Sequence, residues 1–167
     1  MNRSLIDFQK IHKEASFLHR QNSPHDMVAK NDLLGLQAFC NVARNNPVQL
    51  DVLDEYSNTP LLKACYLGSL VCAKMLLQAG ADIQVINSMG QNALTLATYS
   101  RNKTLVLELL KYRSYDDFNS TSMLPALMVA KMLKNHDLIA LFKTFTHKHD
   151  DLTTVHGLQV NEAMTFN

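Results

Sequence analysis

The chain repeats itself with a period of 33 residues. Tyr66 is followed one period later by Tyr99, and the leucine pair at 76–77 returns at 109–110. A chain of this kind folds as a stack of small helical units, because one unit alone cannot bury its apolar side and must pack on its neighbours. Such a stack presents an extended surface rather than a single enclosed active site.

The unit around Tyr66 carries its own start and stop signals. Thr59 is a good helix N-cap, because its hydroxyl can accept a hydrogen bond from a free amide of the first turn. Pro60 suits the first helical position, where no amide hydrogen is needed. Gly68 can adopt the left-handed conformation that ends a helix, and Gly80 ends the next one. The segment therefore predicts two short helices, one on each side of Gly68.

This unit resembles an ankyrin repeat. The residues that carry the resemblance are Asp54, Thr59-Pro60-Leu61, Ala64, Gly68, Leu76-Leu77 and Gly80-Ala81-Asp82. The resemblance implies two antiparallel helices in each unit and a protruding β-hairpin loop between units. It also implies that partners lie across the hairpin tips and the inner helix ends, on the concave side of the stack.

The period locates further units. Leu94 and Ala97 return as Leu127 and Ala130, and counting back from Gly68 gives Gly35. We therefore expect an all-α, ankyrin-type helical solenoid of four units, over 24–56, 57–89, 90–122 and 123–155.

The third unit departs from the pattern at two turns. Arg101 and Arg113 stand where glycines are expected. A left-handed conformation costs arginine about 1 kcal/mol. Asparagine tolerates that conformation better, so we expect Asn102 and Asn135 to make the turns instead.

The two ends lie outside the clear repeats. Residues 1–23 carry apolar side chains at helical spacing, which predicts an amphipathic helix that caps the first unit. A partner-binding or membrane-surface helix is the alternative, but the mixed charges of its polar face disfavour membrane binding. Residues 146–167 form a polar tail that overlaps the end of the fourth unit.

Composition excludes several classes of protein. The 16 basic and 15 acidic residues are nearly balanced, which argues against binding to nucleic acid or to an anionic membrane. No apolar run is long enough for a signal peptide or a membrane span, so we expect a cytoplasmic protein. The three cysteines indicate a reducing compartment.

Two groups of residues are candidates for chemistry. The cluster His147, His149, Asp150, Asp151 and His156 contains zinc ligands, but nothing nearby supplies a rigid second shell, so a solvated tail is the favoured interpretation. Cys65 or Cys72 would need a histidine to act as a nucleophile, and small core filler is the default role for free cysteine. Phosphate-loop, nucleophile-elbow and zinc-helix motifs are absent. We therefore expect no catalysis, no cofactor and no small-molecule substrate.

The candidate binding surface follows from the period. One row of equivalent positions contains Leu33, Tyr66, Tyr99 and Met132, with Leu67 beside it. The hairpin positions on the same side give a polar rim: Glu55, Asn58, Ser88, Gln91, Thr121 and Leu124. Tyrosine and methionine are enriched in interfaces, so the row predicts a site for a partner protein or peptide. Packing of each tyrosine against the neighbouring unit is the alternative.

Three functional hypotheses remain. The first is a non-catalytic protein-interaction module. The second is a bacterial effector or regulator that acts on a host protein or another effector; it is suggested by the asparagine and lysine bias, with the polar tail as an export signal. The third is a metal-binding or enzymatic protein that uses the histidines near the end of the chain.

Overall fold

The computed structural model describes residues 23–44 and 50–145. Regular structure within these ranges is entirely helical. The helices are α1 (Pro24–Ala29), α2 (Leu33–Ala43), α3 (Pro60–Leu67), α4 (Leu70–Ala79), α5 (Ala93–Tyr99), α6 (Lys103–Leu109), α7 (Tyr115–Thr121), α8 (Ala126–Met132) and α9, which is helical over 136–145. The expected capping helix and polar tail lie outside the described residues, except for Ser23, which caps α1.

The helices form two layers. In one layer α1, α3, α5 and α8 pack on one another in that order, and in the other α2, α4 and α6 do the same. Within a pair, α1 contacts α2, α3 contacts α4, and α5 contacts α6. Leu36, Leu76 and Leu109 are completely buried between the layers, and Leu138 and Phe142 extend this core into α9. The predicted all-α helical solenoid is confirmed.

One turn motif recurs inside all four helix pairs. A residue with a left-handed backbone comes first: Asn31, Gly68, Arg101 and Lys134, with φ of 54°, 70°, 59° and 51°. The next residue accepts a hydrogen bond from the amide three positions later and so caps the second helix; these caps are Asp32, Ser69, Asn102 and Asn135. Only two or three residues therefore separate the two helices of each pair.

The prediction for the turns of the third and fourth pairs is therefore wrong. Arg101 and Lys134 take the left-handed conformation themselves. Asn102 and Asn135 are N-caps, whose side chains accept from the amides of Leu105 and Leu138 at 3.1 Å. The N-cap needs an acceptor side chain and an extended backbone, which asparagine supplies, so the left-handed position falls to the residue before it.

The register of the first pair also differs from the prediction. The turn residue equivalent to Gly68 is Asn31, which lies 37 positions earlier rather than 33. Gly35 lies inside α2, where its amide donates to the cap Asp32, and it does not take the left-handed position of the turn. The offset between equivalent residues of the first and second pairs is therefore four residues longer than the period, which shifts every equivalence assigned to the first pair.

The described parts of the connections between the first three pairs contain tight turns. The amide of Asp54 donates to the carbonyl of Asn58, and that of Asn87 donates to Gln91, both at 3.0 Å. These turns stand where the family resemblance implies β-hairpin loops, and no strand forms in the described ranges.

Helix α7 replaces the turn between the third and fourth pairs. Ser114 caps it, and its Tyr115 and Phe118 side chains are buried. Tyr115 stacks on Phe142 with ring centroids 5.2 Å apart. The buried Asn92 donates from Nδ2 to the carbonyl of Phe118 at 2.6 Å, which fixes the helix to the third pair. The regular succession of turns therefore stops after the second one.

We predict that Arg101→Gly stabilises the protein. The left-handed backbone of Arg101 is unfavourable for a side chain with a Cβ, and glycine removes that strain while adding some entropy to the unfolded chain, so the free energy of unfolding should rise by about 0.5–1 kcal/mol. Urea unfolding measures the change. The matched control is Gln78→Gly on the exposed side of α4, which should lower the free energy of unfolding by about 1 kcal/mol. A loss of stability in both variants would contradict the prediction.

Candidate functional site

A cavity of about 440 Å³ lies between the second and third helix pairs. Its lining consists of side chains that stand one period apart, namely Tyr56 and Met89, Asn58 and Gln91, Lys63 and Leu96, and Tyr66 and Tyr99, together with Asn87. We call this set the aromatic cleft. Each unit contributes the same positions, so the cleft is a direct product of the repeat.

Tyr66 and Tyr99 form the helical side of the aromatic cleft. Each lies two residues before the left-handed residue that ends its helix, Gly68 or Arg101. Tyr66 is 59% exposed, and Tyr99 is partly exposed. Leu96 is 3% exposed and gives the cleft an apolar floor. An exposed aromatic pair above a buried leucine is an environment that suits a large apolar side chain.

Hydrogen bonds of Asn87 hold the opposite rim of the aromatic cleft. Its Oδ1 accepts from the amides of Met89 and Gln91, both at 3.0 Å. Its Nδ2 donates to Asn58 Oδ1 and to Gln91 Oε1, again at 3.0 Å. One side chain thus closes its own turn and joins it to the previous one. The rim is therefore organised before any ligand binds.

A second cavity, of about 540 Å³, lies between the first and second pairs. We call it the acidic cleft; its lining is Ser23, His25, Asp26, Ala29, Leu53, Asp54, Glu55, Tyr56 and Lys63. His25 Nε2 lies 2.8 Å from the carbonyl oxygen of Asn58 and links the first pair to the next turn. Tyr56 and Lys63 line both clefts, so the two cavities adjoin.

Asp54 organises the turn at the acidic cleft. Its Oδ1 accepts from the amides of Tyr56 at 2.9 Å and Asn58 at 2.8 Å. Partial burial raises the pKa of this carboxyl group. The hydrogen bonds from the backbone and side chain of Asn58 and from the backbone of Tyr56, with the nearby His25, outweigh burial and leave the pKa below its ordinary value. Asp54 is therefore held as a carboxylate.

The structure brings five of the predicted site residues to the two clefts. Tyr66, Tyr99, Asn58 and Gln91 line the aromatic cleft, and Glu55 lines the acidic cleft.

Three further predicted residues lie outside these linings. Ser88 is exposed, and its hydroxyl donates to the carbonyl of Tyr56 at 2.9 Å. Leu67 is 47% exposed at the end of α3. Met132 is 63% exposed at the position of α8 equivalent to Tyr66. The row of equivalent positions therefore continues beyond the two clefts.

Three predicted positions are corrected. Leu33 lies in the first turn of α2 and packs partly buried against the core; the register shift gives its place in the row to Ala29. Thr121 is the last residue of α7, not a turn tip, and its hydroxyl donates to the carbonyl of Phe118 at 3.1 Å. Leu124 is partly buried, and its carbonyl accepts from Thr95 Oγ1 at 3.2 Å.

Sequence reasoning missed five residues of the aromatic cleft. One is Asn87, and the other four are Tyr56, Lys63, Met89 and Leu96. The same period connects them, since Tyr56 and Met89 are 33 residues apart and so are Lys63 and Leu96. Extending the equivalence from the helix ends to the turn tips and to the middle of the first helix would have found all four.

The chemical alternatives gain no support from the described residues. Cys65 and Cys72 are buried, and burial raises the pKa of the Cys65 thiol, which disfavours the reactive thiolate. Between 23 and 44 and between 50 and 145, no group of histidine, cysteine and acidic side chains is arranged to hold a metal ion. The histidine cluster of the tail lies outside these ranges. No helix within the same ranges has the length and apolarity that a membrane span requires.

We predict that Asp54→Asn alters the acid sensitivity of the protein. The lowered pKa of Asp54 means that its stabilising effect is complete above the ordinary carboxyl pKa of about 3.9 and is lost as the pH falls through the folded-state pKa. The wild-type chain should therefore be more stable than Asp54→Asn near neutral pH, and the gap should narrow as the pH falls toward about 2. Asparagine keeps the acceptor, as Asn87 shows one period later, so the turn should survive. Urea unfolding across the pH range tests this, and a constant gap would contradict it.

Comparisons with known proteins agree with this architecture. Residues 25–122 match a family model described as Ankyrin repeats (3 copies). The chain is 49% identical over 137 residues to the DNA replication inhibitor plutonium of Drosophila melanogaster, covering 81% of this chain and 79% of that protein. It is 40% identical over 72 residues to human Ankyrin repeat domain-containing protein 13B, covering 43% of this chain and only 12% of that protein.

Among solved structures, the human ASB11 ankyrin repeat domain is similar, with 27% identity and a TM-score of 0.48 over 53% of this chain and 38% of that one. The similarity to a Drosophila protein gives no support to the expectation of a bacterial protein. The family model covers more than half of the chain and includes all of the aromatic cleft and all of the acidic cleft except Ser23. The chain belongs to the ankyrin repeat family.

Proposed function

We propose that this protein is a non-catalytic interaction module that binds a partner protein across the aromatic and acidic clefts. The observation that carries the proposal is the aromatic cleft itself, in which the exposed Tyr66 and the partly exposed Tyr99 stand over a buried leucine beside an ordered polar rim. Tyrosines in such positions are the usual anchors of protein interfaces. A rim already fixed by hydrogen bonds reduces the conformational-entropy cost of binding.

The second part of the proposal concerns the process in which the module acts. The Drosophila relative is named a DNA replication inhibitor, and its similarity extends over about four fifths of both chains. We infer that this chain also restrains DNA replication, by binding a protein that controls it. The nearly balanced charge of 16 basic and 15 acidic residues favours action through a protein rather than through direct contact with DNA.

We predict that the double variant Tyr66→Ala/Tyr99→Ala loses its partner and stays folded. Both tyrosines are at least partly exposed, so the core is untouched. Loss of two anchor residues at about 2 kcal/mol or more for each should weaken binding by at least about a thousandfold if they act independently. Affinity capture from cells that express the protein, followed by mass spectrometry, compares the wild-type chain with the variant, and urea unfolding checks the fold.

Tyr112→Ala is the matched control, because Tyr112 is 46% exposed and lies outside both clefts. Proteins retained by the wild type and by Tyr112→Ala, but not by the double variant, are the expected partners. Nucleoside incorporation in cells that overproduce each variant then tests the replication role. Equal capture by a folded double variant would refute the binding surface, and unchanged DNA synthesis with the wild type would refute the replication role.

A further inference from the structure

We propose that the partner contributes an extended peptide segment that places a lysine or arginine in the acidic cleft and a large apolar side chain in the aromatic cleft. This inference rests on the proposed function, which states only that the two clefts bind a protein. It adds the chemistry of the bound segment and assigns a different task to each cleft.

The two clefts are neighbours along the row of first helices. Tyr56 and Lys63 line both, so a ligand in one cleft can reach the other by passing over these two side chains. The acidic cleft is the same part of the stack moved one unit back, since Asp26 and Ala29 stand 37 positions before Lys63 and Tyr66. A single ligand that follows the row of first helices therefore meets the two clefts in succession.

Charge distinguishes the acidic cleft. Three carboxylates line it, from Asp26, Asp54 and Glu55, against Lys63 and the imidazole of His25. Asp54 stays ionised because its turn hydrogen bonds lower its pKa. Glu55 is exposed and forms no ion pair within the described parts of the chain. The net negative charge and the unpaired carboxylate complement a cationic side chain.

The aromatic cleft, in contrast, is lined mostly by uncharged side chains. Its lining includes three tyrosines, Met89 and Leu96, and among its residues only Lys63 is charged. Aromatic rings and methionine sulfur adapt well to a large apolar side chain. The hydroxyl groups of Tyr66 and Tyr99 make no hydrogen bond to any other described residue, so they can donate to backbone carbonyls of the ligand. An extended segment, unlike a helix, leaves those carbonyls free.

Selection from a phage library of random 12-residue peptides, with the full chain immobilised, tests the inference. Enriched peptides should share one basic residue at a fixed spacing from one large apolar residue. A selected peptide should bind Glu55→Lys about fivefold or more weakly than wild type, as expected for reversal of one exposed ion pair. The same peptide with its basic residue replaced by glutamate should prefer Glu55→Lys over the wild type.

Asp137→Lys provides the matched control, because this exposed carboxylate lies on α9, away from both clefts, and undergoes the same change of charge. It should bind the selected peptide as the wild type does. Peptides that need Tyr66 and Tyr99 but carry no shared basic residue, or are insensitive to Glu55→Lys, would overturn the inference and leave the proposed function standing. Failure to enrich any peptide would also overturn it, while the proposed function would still be judged by the partner capture described above.

Discussion

The contact on which the structure depends is the packing of the first helices across small side chains. Ala64, Ala97 and Ala130 stand one period apart on α3, α5 and α8, and all three are completely buried. Because alanine projects little from the backbone, these helices can lie close together, at the spacing that lets the turns of neighbouring units reach each other. The hydrogen bonds that join Asn87 to Asn58 and Ser88 to Tyr56 depend on that spacing, and so do both clefts.

The interruption after the third pair has a functional meaning. Met132 keeps its place in the row, but α7 occupies the segment where a third turn would stand, and Asn92 ties it down through the carbonyl of Phe118. The position one period after Gln91 is Leu124, whose side chain carries no amide, so the rim of ordered amides does not continue there. The composite surface of aromatic side chains and ordered amides is therefore confined, in the described residues, to the first three pairs.

The 33-residue period predicts most of the helical architecture, and the places where it fails have physical causes. It predicts equivalent positions for Tyr66 and Tyr99, and both line the aromatic cleft, because the two units have the same length. It misplaced Leu33 because four additional residues separate the first two pairs, which a fixed lag does not detect.

Local rules failed in two other places. Asparagine's tolerance of a left-handed backbone predicts the turn at Asn102 rather than Arg101. Arg101 takes that conformation instead, because packing of the two adjacent helices requires a left-handed residue at that point whatever its side chain. The equivalence of hairpin positions predicts turn tips at Thr121 and Leu124. Ser114 and Asp117, however, form the sequence pattern that begins a helix. Burial of Tyr115 and Phe118 in the core determines the structure of that segment, and a comparison of residues one period apart does not detect this packing.

The two clefts differ in how well their positions along the stack protect them from local opening. Where units contact only their neighbours, fluctuations that separate helices begin at the outermost pairs and rarely reach the middle. The aromatic cleft has both of its walls on inner pairs, whereas one wall of the acidic cleft belongs to the outermost described pair. A bound segment would thus meet an aromatic cleft that is already formed and would stabilise the acidic cleft by binding to it. Ligand binding and the rigidity of the first helices are then thermodynamically linked.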